Sequence, residues 1–115
     1  MTIKRIGVGP RMSQAVIHGD TVYLAGVVAD KPVPSVAKQT KQVLAEIDRL
    51  LKQAGTNKSK LLKANIWLSD IRTWGEMNSV WDAWVSKGNT PARATVEAKL
   101  AGPEFLVEIM VTAAL

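Results

Sequence analysis

Two successive strand patterns near the C-terminus constrain the fold of this chain more than any other feature. From Ala92 to Leu100 the residues alternate without a break: Ala92, Ala94, Val96, Ala98 and Leu100 are apolar, and Arg93, Thr95, Glu97 and Lys99 are polar. A period of two belongs to a strand with one face buried. After the turn Ala101-Gly102-Pro103, the stretch Phe105 to Ala114 predicts a second strand, apolar on both parities apart from Glu108. A carboxylate set between Val107 and Ile109 is costly unless a partner pairs with it or a reaction uses it. Arg93, just after Pro91 where the first strand begins, presents a planar fork suited to a carboxylate.

Upstream, Ala15 to Ala29 reads as a hairpin turning at Gly19-Asp20, and Ile3 to Val8 as a short strand before it. Asp30 to Pro34 is a loop. Ser35 then caps a helix that runs to Ala54 and stops at Gly55. Its apolar face is Val36, Thr40, Val43, Leu44, Ile47, Leu50, Leu51 and Ala54, and its polar face carries Lys38, Lys41, Glu46, Arg49 and Lys52. Leu62, Ala64, Ile66 and Leu68 alternate with Lys63, Asn65 and Trp67, so a strand precedes Asp70. Thr73 and Glu76 match a capping box. The helix that follows sets Trp74, Met77, Val80, Trp81, Trp84 and Val85 on one face and ends near Gly88. Three tryptophans at that spacing are read as packing side chains rather than a stacking platform.

The resulting order is that of one α+β domain over residues 1–115, a six-stranded sheet with two helices on one face. Both strands Val22–Ala29 and Phe105–Ala114 are apolar on two sides, so something must cover the face without helices. A second copy of the chain is the expected cover.

Composition excludes several chemistries. The chain has 115 residues, no cysteine and one histidine, His18, which rules out thiol nucleophiles and disulfides and argues against a zinc site. His18, beside the Gly19-Asp20 turn, is expected to be exposed. No apolar run reaches the roughly 20 residues that a membrane helix needs. The first residues lack the apolar core of a secretory signal, so a cytoplasmic location is expected. The net charge of +5 raises a nucleic-acid reading. The basic residues are nevertheless scattered, with only Lys58 to Lys63 clustered and no ordered aromatics for base stacking, so nucleic acid is not the expected partner.

Met12-Ser13-Gln14-Ala15-Val16, Leu24-Ala25-Gly26, Ala54-Gly55, Asn78 with Val80, Pro91-Ala92-Arg93 and Val107-Glu108-Ile109 occur in the order seen in the RidA (YjgF) family. The resemblance spans nearly the whole chain and is nearest to a compact branch of that family. It implies a chorismate-mutase-like fold and a homotrimer with three clefts between subunits. In the family's enamine/imine deaminases an arginine grips the carboxylate of a 2-imino acid and a glutamate places or activates water. Residue by residue, this implies Arg93 as anchor and Glu108 as catalytic group, with Thr95, Gly26, Ala25 and Met12 lining the substrate site and no cofactor or metal. Three positions depart from the deaminases: Met12 stands for a tyrosine, Ala25 for a serine and Thr95 for a cysteine. The first two make the pocket more apolar.

Three functional classes follow. The expected one is a small hydrolase of reactive 2-imino and enamine carboxylic acids. The alternatives are a non-catalytic binder of small carboxylates and, on net charge alone, a ribonuclease or translation inhibitor. Glu108 also has a plain structural reading, a salt bridge across a subunit boundary.

Overall fold

In the computed structural model, which describes residues 1–115, six strands form one sheet covered on a single face by two helices. The strands are β1 (Ile3–Ile6), β2 (Ala15–His18), β3 (Thr21–Leu24), β4 (Leu61–Leu68), β5 (Ala92–Glu97) and β6 (Val107–Ala114). Their spatial order is β1-β2-β3-β6-β4-β5. All neighbours are antiparallel except β4 and β5, which run parallel through the crossover helix between them. The helices are α1 (Val36–Ala54) and α2 (Trp74–Trp84).

The expected hairpin turns at Gly19-Asp20, but its second strand ends at Leu24 rather than Ala29, and beyond it Val27 makes only an isolated bridge to Ile109. Gly19 has φ 61 and no non-glycine residue has positive φ, the pattern of a type II′ turn whose first central position needs glycine. His18 is exposed beside it. Helix α1 matches its reading at both ends. The Ser35 hydroxyl accepts from the Lys38 N–H at 3.2 Å. At the other end Gly55 takes φ 91, with its N–H donating to Lys52 O at 3.0 Å and Thr56 N–H to Leu51 O at 2.9 Å. That pair of bonds is a Schellman motif, which satisfies carbonyls the helix end would orphan. All eight residues of the expected apolar face are buried.

Gln39 was not part of that face, yet it is fully buried. Its Nε2 donates to Val33 O (2.8 Å) and Glu104 O (2.9 Å), and its Oε1 accepts from Leu106 N (2.9 Å). One amide thus staples two loops to α1, and the chain enters β6 only at Val107, two residues later than Phe105.

Four other expectations change. Leu62 is half exposed and Leu61 is buried in its place, because the β4–β6 register shifts between Leu61 and Lys63. The capping box at Thr73 does not form. Asp70 caps a 3₁₀ turn, Ile71–Thr73, that runs straight into α2; Thr73 Oγ1 donates to Asp70 O, and the Glu76 carboxylate accepts from Ala37 N of α1 at 2.8 Å. Helix α2 ends at Trp84, short of Gly88. Met77 and Trp81 enter the core with Val80, Trp84 and Val85 packed around them, but Trp74 is half exposed.

Strand β5 holds the most consequential change. It ends at Glu97 rather than Leu100, and its apolar parity (Ala92, Ala94, Val96) is exposed on the face without helices. The polar parity (Arg93, Thr95) is the part-buried one, turned toward α2. The open face also carries Ile3, Val16, Tyr23, Trp67 and Met110, as the strand registers require. No helix is long and apolar enough to cross a membrane.

Candidate ligand site

Edge strand β5 and helix α2 build one half of the site. Alternation puts Arg93 and Thr95 on the helix side, and the parallel register sets Arg93 beside Ala64 and Thr95 beside Ile66. Small Ala64 leaves room above the strand for the guanidinium. Arg93 Nη1 donates to Asn78 Oδ1 at 2.7 Å, and its Cζ lies 5.3 Å from the centre of the Trp81 ring. Asn78 and Trp81 are three apart on α2 and so share the helix face above the strand. The molecule has two ion pairs, Glu46–Arg49 and Asp70–Arg72, and neither involves Arg93. Its guanidinium is therefore part-buried, tethered by a neutral amide, and has donors to spare.

Thr95 lies two residues along on the same face, but its hydroxyl oxygen is buried and has no partner. Glu97, next on that face, is occupied: its carboxylate accepts from Ile71 N at 3.0 Å and ties β5 to the turn before α2.

The other half lies across the sheet. Glu108 pairs in register with Trp67, on the face without helices. Its carboxylate rests against Gly26: a Cβ built on Gly26 would collide with Glu108 Oε2. The close approach needs glycine because any side chain would displace the carboxylate. Val27, the next residue, exchanges both backbone bonds with Ile109, which holds Gly26 in place beside Glu108. Ala25 N donates to Gln14 O at 2.9 Å and fixes the segment that carries Met12.

Met12, Gln14, Ala25, Gly26, Val28 and Phe105, together with Gln42, Ala45, Glu46, Arg49 and Leu50 of α1, line an open groove of about 900 Å³. At its rim the hydrogen bond from Arg49 holds the Glu46 carboxyl below the usual carboxylate range. No three His, Asp or Glu side chains converge as metal ligands.

The six expected site residues therefore fall into two groups. Met12, Ala25 and Gly26 line the groove beside α1 with Glu108 against Gly26, whereas Arg93 and Thr95 lie beneath α2, on the sheet face opposite Glu108. A single chain does not bring the anchor and the carboxylate together. In the sequence Asn78 is only a piece of a motif and Trp81 only a packing residue; their three-residue spacing is the signal that both reach one point.

Comparison with known proteins places this geometry. The model of the family described as endoribonuclease L-PSP matches residues 2–115. A RutC family protein of Haemophilus influenzae is 46% identical over 114 residues, covering 98% of each chain. The crystal structure of a YjgF family member from Neisseria meningitidis is 48% identical and superposes with a TM-score of 0.97, covering 99% of this chain and 95% of that one. The 2-iminobutanoate/2-iminopropanoate deaminase of Rattus norvegicus is 34% identical over 91 residues, 74% of this chain and 66% of its own length. With its α+β sheet matched over nearly its full length, the chain belongs to the YjgF/RidA family.

Proposed function

We propose that this protein is a cofactor-free hydrolase of 2-imino and enamine carboxylic acids, acting in clefts between the subunits of a homotrimer. The observation that carries the reading is Arg93, a part-buried guanidinium without a carboxylate partner, held by Asn78 over Trp81. A substrate carboxylate supplies the missing charge through two parallel bonds. Glu108 is the partner function. It accepts a proton from water as the oxygen attacks C2 of the imine, and the C=N π electrons move to nitrogen. The tetrahedral intermediate receives that proton on nitrogen, and the carboxylate then relays the hydroxyl proton to the same nitrogen, so that ammonia leaves as the C=O bond forms and a 2-oxo acid remains. One carboxylate suffices for both transfers, and neither needs a cofactor.

Assembly enters because Arg93 and Glu108 lie on opposite faces of one sheet, so a shared cleft draws them from neighbouring subunits. The apolar open face supports such contacts, and the rat deaminase supports the chemistry by likeness. A second reading, a binder of small carboxylates, is favoured by the apolar lining from Met12 and Ala25 and by the inward-turned Thr95 hydroxyl.

The test is hydrolysis of 2-iminobutanoate generated in situ, read as loss of a semicarbazide-trapped product. The expected result is accelerated decay. Glu108→Gln lowers kcat sharply, while Arg93→Ala raises KM about ten- to a hundredfold, the loss of roughly 1.5–3 kcal/mol from a charge-assisted fork. Arg93→Lys rescues poorly, because an ammonium lacks the planar pair of donors. Arg93-dependent binding of 2-oxobutanoate without any hydrolysis replaces the enzyme by the binder.

A further inference from the structure

We infer that Trp81 is a positioning residue for the ligand carboxylate, acting through Arg93; the inference rests on Arg93 being the anchor. Trp81 is almost wholly buried, with Arg93 over one side of its ring and Trp84 on another, the two indole centres 5.3 Å apart and tilted by 50°. Trp84 is itself fixed: its Nε1 donates to Asp48 Oδ2 on α1 at 2.9 Å. A continuous line of contacts therefore runs from the middle of the long helix to the guanidinium of an edge strand.

The arrangement solves a specific problem. Arg93 sits on the last strand of the sheet, has several rotatable bonds, and has only one hydrogen bond to hold it. A single bond from Nη1 to Asn78 leaves the guanidinium plane free to swing about that contact. The negative face of the indole attracts the cation within about 6 Å. This second restraint, off the axis of the first, selects the orientations in which Nε and Nη2 remain free for a planar carboxylate. Ordering those bonds before the ligand arrives reduces what binding must spend on rotamer entropy. Packing alone would require only a large apolar residue at position 81. The positioning role requires an aromatic face.

The two roles separate experimentally. Binding of 2-oxobutanoate is measured by calorimetry for wild type, Trp81→Phe, Trp81→Leu, Arg93→Ala and the double variant Trp81→Leu/Arg93→Ala. Trp81→Leu is expected to weaken binding about three- to tenfold, in line with a partly desolvated cation–π contact. Trp81→Phe should recover most of that, and the Trp81→Leu effect should vanish in the Arg93→Ala background. In steady-state assays the loss falls on KM rather than kcat. Trp74→Leu, the half-exposed tryptophan on the same helix, is the control and should change neither. An equal loss with and without Arg93, or no loss in Trp81→Leu, overturns the proposal.

If wild type binds no carboxylate, the anchor reading itself fails. The Arg93 Nε–Hε resonance of the free protein then still decides the geometry. Trp81 orients the guanidinium if its ring-current shift disappears in Trp81→Leu, and does not if the resonance is unmoved.

Discussion

At the scale of single residues, two positions carry more than their chemical type announces. Gly26 has an ordinary backbone conformation, and its constraint is distance alone, since Glu108 occupies the volume of a Cβ. Gly26→Ala is expected to displace the carboxylate with little effect on the fold, because the atom that must move is the end of a side chain. Imine hydrolysis should fall about as far as in Glu108→Gln, with the far-UV spectrum unchanged; full activity in Gly26→Ala would separate Glu108 from the chemistry. Gln39 is the structural counterpart. Removing its amide leaves Val33 O, Glu104 O and Leu106 N without their partner in a mostly buried place. Gln39→Ala should cost roughly 2–4 kcal/mol in urea unfolding, since each abandoned buried group costs about 1–3 kcal/mol and water recovers part of it.

At the scale of elements, helix ends show when local signals prevail. Ser35, half-buried, and Gly55, exposed, form their expected caps because neither meets a stronger competitor. Ser35→Ala should lower stability by about 1 kcal/mol, measurable by chemical denaturation. Thr73 fails as a cap although its residue pattern is just as good. Asp70 captures the chain three residues earlier, and the Glu76 carboxylate is taken by the Ala37 N–H at the start of α1. The second helix is thereby tied to the first, which is what sets Asn78 and Trp81 above Arg93.

For the whole molecule, the decisive feature is the uncovered sheet face. Tyr23 is 48% exposed and Val96 50%, on strands at some distance from one another, with Met110 and Trp67 between them. An apolar face of that breadth is the mark of an association surface. The expected outcome of sedimentation equilibrium is a trimer at micromolar concentration. Tyr23→Asp and Val96→Asp should shift it toward monomer and abolish hydrolysis together, because the proposed cleft draws on two chains. A stable, fully active monomer would sink both the assembly and the shared site.

By itself the sequence determined the α+β class, all six strands, the long helix to the residue, and the hairpin turn. These rest on short-range codes, namely period, caps and a glycine at positive φ, which act within a few residues of each other. It also singled out Glu108, the one charge in an otherwise apolar strand, and Arg93, a planar fork just after Pro91 at the start of an alternating one. Tertiary structure decided the rest. Alternation in β5 shows that its two faces differ but not which one meets the helices. Only its parallel pairing with β4 turns Arg93 and Thr95 toward α2 and leaves Val96 outside. The antiparallel pairing of β6 with the same β4 then puts Glu108 on the other side. The Arg93–Asn78 contact spans 15 residues and depends on where α2 lies. Leu62 was misread because a bulge resets the parity of β4, and no local pattern records a bulge whose cause is the neighbouring strand.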